Sequence, residues 1–200
     1  MSFIDAKNVF CVGRNYRLHA EELGNEVPTE PLFFSKPTHS LVLADGKTIS
    51  LPGDRGEVQH EIELVLRIGK EERIEAFALG IDFTLRELQA KLKKAGKPWL
   101  PAKGFKNSAL LTPFRNINDL SDLREDFSLM KNGKEVQRGN RAEMIFPLER
   151  ILLFCSENFG LGEGDLIFTG TPEGVGKVEN GDRLVLRWGE EDWGSCITSL

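Results

Sequence analysis

The acids Glu61, Glu63 and Asp82 are the residues of this chain whose types and spacing most directly suggest chemistry. Glu61 and Glu63 stand two apart in His60-Glu61-Ile62-Glu63-Leu64, and Asp82 interrupts the apolar run Phe77-Ala78-Leu79-Gly80-Ile81-Asp82-Phe83. On a strand, side chains i and i+2 share a face, so the two glutamates project together while Ile62, Leu64 and Leu66 take the other face. The alternation of Glu61, Glu63 and Arg67 with Ile62, Leu64, Leu66 and Ile68 describes a half-solvated strand equally well. Asp82 fits that bland reading less easily. Near-continuous apolar runs are strands covered on both faces, and a carboxylate there needs a proton, a cation or a metal. Three hard oxygen donors without a thiolate favour magnesium or manganese over zinc. His60 points to the strand face opposite Glu61 and is excluded from the ligand set.

His19 and Glu22 stand three apart in a helix-like stretch, Tyr16 to Leu23, that Gly24 ends, so they are neighbours on one helix face. Such a pair is either an ordinary surface contact worth a few tenths of a kcal/mol or a base with its orienting carboxylate. The segment is short and bounded by glycines, the build of a movable lid. Lys103 lies between small residues in the irregular stretch Lys97-Pro98-Trp99-Leu100-Pro101-Ala102-Lys103-Gly104. It reads as a surface charge or, beside a metal, as a group that holds a substrate anion or steadies developing charge. Lys36, before Pro37, is either an anion contact or a solvated strand end. Thr169-Gly170-Thr171-Pro172-Glu173-Gly174-Val175-Gly176 lacks the Gly-Lys-Ser/Thr ending of a phosphate loop. It is either a glycine-rich corner or a place where backbone amides approach a small ligand, with Thr171 as a hydroxyl donor.

Strands, turns and three helices must position these groups. Asn8–Val12 and Leu32–Lys36 read as strands, and Ala44-Asp45-Gly46-Lys47 predicts a hairpin turn into Thr48–Leu51. The run 76–83 hands over to a helix whose Thr84-Leu85-Arg86-Glu87 start reads as a capping box, with Leu85, Leu88 and Leu92 as its apolar side. Asn132-Gly133 predicts a hairpin. A helix follows Pro147 and closes near Gly160, and Asn180-Gly181 turns into a strand from Arg183 to Trp188. The last dozen residues carry no clear signal.

The composition bounds the function. The 200 residues, 40% hydrophobic and 28% charged, suit one domain over 1–200 with a sizeable core. A net charge of −5 without a basic stripe speaks against nucleic acid and anionic membranes as partners. The N-terminal residues show no signal-peptide pattern, and no apolar run reaches membrane-spanning length, so a cytoplasmic location is expected. Cys11, Cys155 and Cys196 are odd in number and widely spaced, which predicts buried free thiols.

Several of these segments together resemble the fumarylacetoacetate hydrolase family, in its small single-domain acylpyruvase and oxaloacetate decarboxylase branch. The carriers are Cys11-Val12-Gly13-Arg14-Asn15-Tyr16 with His19 and Glu22, then Phe34-Ser35-Lys36-Pro37, His60-Glu61-Ile62-Glu63-Leu64, Gly80 to Gln89, Lys97-Pro98-Trp99 with Lys103, and Gly164-Asp165 with Thr169 to Gly176. The resemblance implies a mixed α+β, mainly β fold, a β-sandwich or β-roll with a few flanking helices, assembled as a homodimer. It implies magnesium or manganese on Glu61, Glu63 and Asp82, a catalytic set of His19, Glu22 and Lys103, and substrate contacts from Arg14, Lys36, Arg86, Gln89, Gly170 and Thr171. The chain has Leu85 and Glu87 where the family often has Ala and Asp, a difference that bears on pocket shape.

The expected partner is a small 2-oxo acid or 1,3-dicarbonyl compound. The expected activity is magnesium-dependent hydrolysis of the C–C bond of acylpyruvates, with oxaloacetate decarboxylation as an added reaction through the same pyruvate enolate. The alternatives are a lyase or isomerase of the same family, such as an oxaloacetate tautomerase or a hydratase, and, in a different class, a non-catalytic binding protein with a solvated acidic strand.

Overall fold

The computed structural model describes residues 5–22, 24 and 26–200. The first elements are β1 (Val9–Gly13), α1 (Arg17–Glu22), β2 (Leu32–Lys36), β3 (Leu41–Leu43), β4 (Asp45–Ser50), β5 (Val58–His60), β6 (Ile62–Ile68), β7 (Ile74–Asp82) and β8 (Thr84–Leu85). There follow α2 (Arg86–Lys94), α3 (Leu100–Lys103), β9 (Ala109–Leu111), β10 (Arg115–Asn116), β11 (Phe127–Lys131) and β12 (Lys134–Gly139). The chain ends with α4 (Leu148–Phe159), β13 (Leu166–Phe168), β14 (Gly176–Lys177), β15 (Arg183–Trp188) and β16 (Glu191–Ser199). The expected mainly β class with a few helices is what the structure has.

Among the described residues the strands form three sheets. The largest runs β2-β1-β13-β6-β7-β9-β3, with β10 added along β7. Its β1–β13 and β3–β9 pairs are parallel and the others antiparallel. The second runs β12-β11-β15-β16-β4, and a small third sheet pairs β14, β5 and β8. Every residue of β6 is buried, because the large sheet is covered on both faces. Ile62, Leu64 and Leu66 join Leu79 and Ile81 in the main core, with Leu129, Leu184 and Leu186 from the second sheet. Val65 and Ala78 take the other face, in a smaller core with Cys11 and Phe168. Each such buried aliphatic side chain contributes roughly 1.5–3 kcal/mol. The half-solvated reading of the acidic strand does not hold, since no face of β6 meets solvent.

The Asn132-Gly133 hairpin forms between β11 and β12 with φ of +52° and +81° at the two turn residues, which the Asn-Gly pair adopts at low steric cost. The helix after Pro147 spans Leu148–Phe159 and stops at Gly160, φ +78°. The helix expected over Tyr16 to Leu23 is observed as α1, Arg17–Glu22; Leu23 lies outside the described residues.

Two local expectations are corrected, and one silent stretch is filled in. Asp45-Gly46 makes no hairpin: β4 runs through it and pairs in parallel with β16, Asp45 opposite Ser195 and Thr48 opposite Ile197. Three steps on β4 match two on β16, so Gly46, φ +86°, sits at a bulge rather than a turn. Thr84 caps no helix. It is held extended opposite Gln59, and α2 starts at Arg86 without a side-chain cap, so tertiary pairing overrides the local signal. The last dozen residues build β16, which joins β15 to β4 inside the second sheet. The three cysteines are free and buried. Among the described residues no helix is long and apolar enough to cross a membrane.

Candidate active site

Strand register gathers the acids. Across β6 and β7, Ile62 faces Ile81 and Glu63 faces Gly80, and the Asp82 amide donates to the Glu61 carbonyl at 2.8 Å. Two steps beyond Gly80, Asp82 shares the face of Glu63. Gly80 keeps that face clear, since a Cβ there would stand 2.6 Å from Phe168 and 2.8 Å from Val65. One oxygen from each of Glu61, Glu63 and Asp82 lies within 4.8 Å of the others, and all three residues are buried.

Three cations face this cluster. Lys103, at the end of α3, donates to Glu61 Oε2, Asp82 Oδ2 and Thr84 Oγ1, each at 2.7 Å. Lys36 lies 2.7 Å from Asp82 Oδ1 and donates to the Ser108 carbonyl and hydroxyl at 3.1 Å. Arg86 donates through Nη2 to Glu61 Oε1, through Nε to Gln59 at 2.6 Å and through Nη1 to Gln89 at 2.9 Å. Burial alone would push the Glu61 carboxyl up, but Lys103 and Arg86 hold it well below the usual range. Glu63 goes the other way, raised by burial and then by the charges of Asp82 and Glu61, against a 2.7 Å hydrogen bond from the Gly170 amide. A buried set of oxygen donors from separate carboxylates, converging on one point without sulfur or imidazole, fits magnesium or manganese.

The helix α1 brings His19 and Glu22 to the site. His19 Nδ1 lies 3.4 Å from Glu22 Oε2, and Glu22 also accepts from the Gly174 amide at 3.1 and 3.3 Å. That contact ties the helix to the glycine-rich corner. Burial holds the His19 imidazole below its ordinary value of 6.5, against the raising effects of Glu61 and Glu22. With Nδ1–H directed at Glu22, the neutral ring carries its lone pair on Nε2, where a base needs it.

One cavity brings His19, Lys103 and Thr171 onto the three acids, with Arg14, Arg86 and Gln89 around them. Lys36 and Gly170 do not line it: Lys36 supports Asp82 from behind, and Gly170 contributes its amide to Glu63. Gly170 has φ +100°, and a Cβ there would stand 2.7 Å from Asn15. Arg14 is left-handed at φ +58°, and among the described residues its buried Nε has no partner. His60 stays out of the acidic cluster, with Nδ1 2.9 Å from Gln137 Oε1.

Sequence reasoning missed Lys93, which lines the same cavity with its ammonium 4.9 Å from the Trp99 ring centre. The spacing 86, 89, 93 puts it on the helix face of Arg86 and Gln89, a signal present in the sequence. It also missed Asn15, whose side chain bonds the Thr169 carbonyl at 2.8 Å and the Phe146 amide at 2.8 Å and so joins the Gly13–Tyr16 turn to the glycine-rich corner. Gln137, from β12, is a third; its partners lie far away along the chain, and no local pattern announces it.

The chain is similar over most of its length to known proteins. The oxaloacetate tautomerase YcgM of Escherichia coli (strain K12) is 38% identical over 190 residues, 89% of this chain and 86% of that one. A mitochondrial oxaloacetate decarboxylase of Dictyostelium discoideum is 36% identical over 88% of this chain and 85% of its own length. The crystal structure of fumarylpyruvate hydrolase from Pseudomonas aeruginosa, in complex with Mn2+ and pyruvate, superposes with a TM-score of 0.89 at 35% identity, covering 98% of this chain and 90% of that one. The fumarylacetoacetate (FAA) hydrolase C-terminal family matches residues 8–199, and the chain belongs to that family.

Proposed function

We propose that the protein is a divalent-metal-dependent enzyme that interconverts the keto and enol forms of oxaloacetate. The observation that carries this is the meeting, in one cavity, of a buried histidine held in its neutral form with three buried carboxylates. Magnesium or manganese on Glu61, Glu63 and Asp82 would supply Lewis-acid polarisation of the substrate carbonyl. His19 Nε2 takes a proton from the carbon beside that carbonyl and delivers it to oxygen, while Glu22 steadies the imidazolium in between. The Lys103 ammonium, fixed by three acceptors, opposes the charge that grows on oxygen. Arg14 and Lys93 offer positive charge to the carboxylates of a diacid. The oxaloacetate chemistry named for two relatives supports the substrate.

A second reading, hydrolysis of acylpyruvates, is favoured by the same dyad and by the likeness to fumarylpyruvate hydrolase. There His19 takes a proton from water, which adds to the distal carbonyl, and the C–C bond breaks to leave pyruvate as its enolate. Decarboxylation of oxaloacetate needs no base. The test follows oxaloacetate by enol absorbance and by pyruvate formation separately, beside acetylpyruvate and fumarylpyruvate, each with magnesium and with chelator. Magnesium-dependent enol conversion that outruns pyruvate formation is expected. Faster cleavage of an acylpyruvate would move the assignment to the hydrolase, and no metal-dependent turnover of any of them would overturn both readings.

A further inference from the structure

We infer that Gln137 is a positioning residue that aims the Thr171 hydroxyl proton into the active-site cavity, at an oxygen of the bound 2-oxo acid; this rests on the functional reading above. Gln137 reaches in from β12 and is buried, and its amide orientation is dictated by groups that have only one role. The Ile62 backbone N–H can only donate, and it points at Oε1 from 3.1 Å. The Pro172 carbonyl can only accept, and it lies 3.0 Å from Nε2. Oxygen and nitrogen are thereby assigned. The second Nε2 proton goes to Thr171 Oγ1 at 3.0 Å.

A hydroxyl that accepts such a bond must send its own proton elsewhere. Thr171 lines the cavity, and among the described residues its hydroxyl finds no protein acceptor. Gln137 thus leaves Thr171 as a donor facing the ligand, the polarity that a carboxylate or a developing enolate oxygen requires. The same logic fixes His60. Its Nδ1, 2.9 Å from Oε1, must carry a proton, because that oxygen can only accept.

The experiment measures pyruvate binding in the presence of manganese for wild type, Gln137→Glu, Thr171→Val and the double variant. In Gln137→Glu an acceptor replaces the Nε2 donor and draws the Thr171 proton away from the ligand. Each single variant should weaken pyruvate binding about tenfold, as expected for a hydrogen bond to a charged group. The double variant should be no weaker than Thr171→Val alone. A full additional loss in the double variant would mean that Gln137 acts through sheet packing or bare charge, and would overturn the inference. Unchanged affinity in Gln137→Glu would do the same. A wild-type protein that binds no pyruvate would overturn the functional reading and take this inference with it. If Gln137→Glu does not fold, the ring-nitrogen NMR shifts of wild-type His60 decide: a protonated Nδ1 is required, and an unprotonated Nδ1 contradicts the assigned amide.

Discussion

Glu61, Glu63 and Asp82 stand at the ends of two antiparallel strands whose backbone register spaces them, whereas His19 and Glu22 stand on a six-residue helix held to the glycine-rich corner through the Gly174 amide. The acids are buried among compensating cations, each with several bonds, while Glu22 keeps a third of its side chain exposed. The charges of the acidic cluster are thus built into the sheet, and the group proposed to exchange protons is carried on a lightly tethered element. Substitutions at the two places should therefore fail differently.

The largest effect belongs to the sheet. In Asp82→Ala the Lys36 and Lys103 ammonium groups, both nearly buried, lose a shared partner. Breaking a buried pair in this way costs about 3–5 kcal/mol. Thermal denaturation should show a large loss of stability, and added magnesium should no longer raise the midpoint as it does in a protein that binds it. Activity should vanish with it. A well-folded Asp82→Ala protein still stabilised by magnesium would break the comparison at its strong side.

His19→Ala removes the proposed base but no buried charge. Turnover should fall about 10²–10⁴-fold, the usual contribution of a general base, while the midpoint and its magnesium response stay near wild type. Oxaloacetate decarboxylation should fall less than keto–enol exchange. Equal losses in both would mean that His19 serves the site through structure rather than proton transfer.

In both regions the sequence announced what local geometry sets. The period of two set Glu61 beside Glu63, and an acid in an apolar run singled out Asp82, because both signals are local and backbone geometry enforces them. The helical period likewise paired His19 with Glu22, and the same period over 86, 89 and 93 pointed at Lys93, where a helix lysine passes as an ordinary surface charge. Long-range pairing was not legible. Nothing near Asp45-Gly46 reveals that Ser195 will lie opposite Asp45, and the bulge at Gly46 uses the residue pair a turn would use. The capping signature went astray for the same reason: Gln59 holds Thr84 in a strand, while a capping box forms at Asn140 and Glu143. Gln137 joins Ile62, His60 and Thr171, partners that only the folded register brings together.

Glu22→Gln probes the helix side more gently. The amide still accepts from Gly174 but loses the charge that steadies protonated His19, so a fall in turnover of roughly tenfold is expected, less than for losing the base itself. Burial lowers the His19 pKa, and Glu22 opposes that lowering. With the free base as the active form under the proposed mechanism, the acid limb of kcat/KM should lie below 6.5 in wild type. Removing the Glu22 charge lowers the pKa further, and the limb should move to still lower pH. A shift to higher pH would mean that the limb reports another group.

The smallest effect tests the mouth of the cavity, where helix and site meet. Lys93 is partly buried and faces Arg14, Arg86 and Lys103, so burial first and then repulsion bring its ammonium down from 10.5 to about 8. Among the described residues it has no carboxylate partner, which leaves its charge free for a substrate. Lys93→Met keeps the stem over Trp99 and removes the charge. A half-exposed charge contact contributes about 0.5–1 kcal/mol, so KM for oxaloacetate should rise about two- to fivefold with kcat near wild type, and KM for acetylpyruvate, which has one carboxylate, should not change. The cation is present below its pKa and lost above it, so wild-type KM for oxaloacetate should rise as pH passes about 8, and the variant should lack that rise. An equal rise in both proteins would assign the titration elsewhere and leave Arg14 as the cation that reads the second carboxylate.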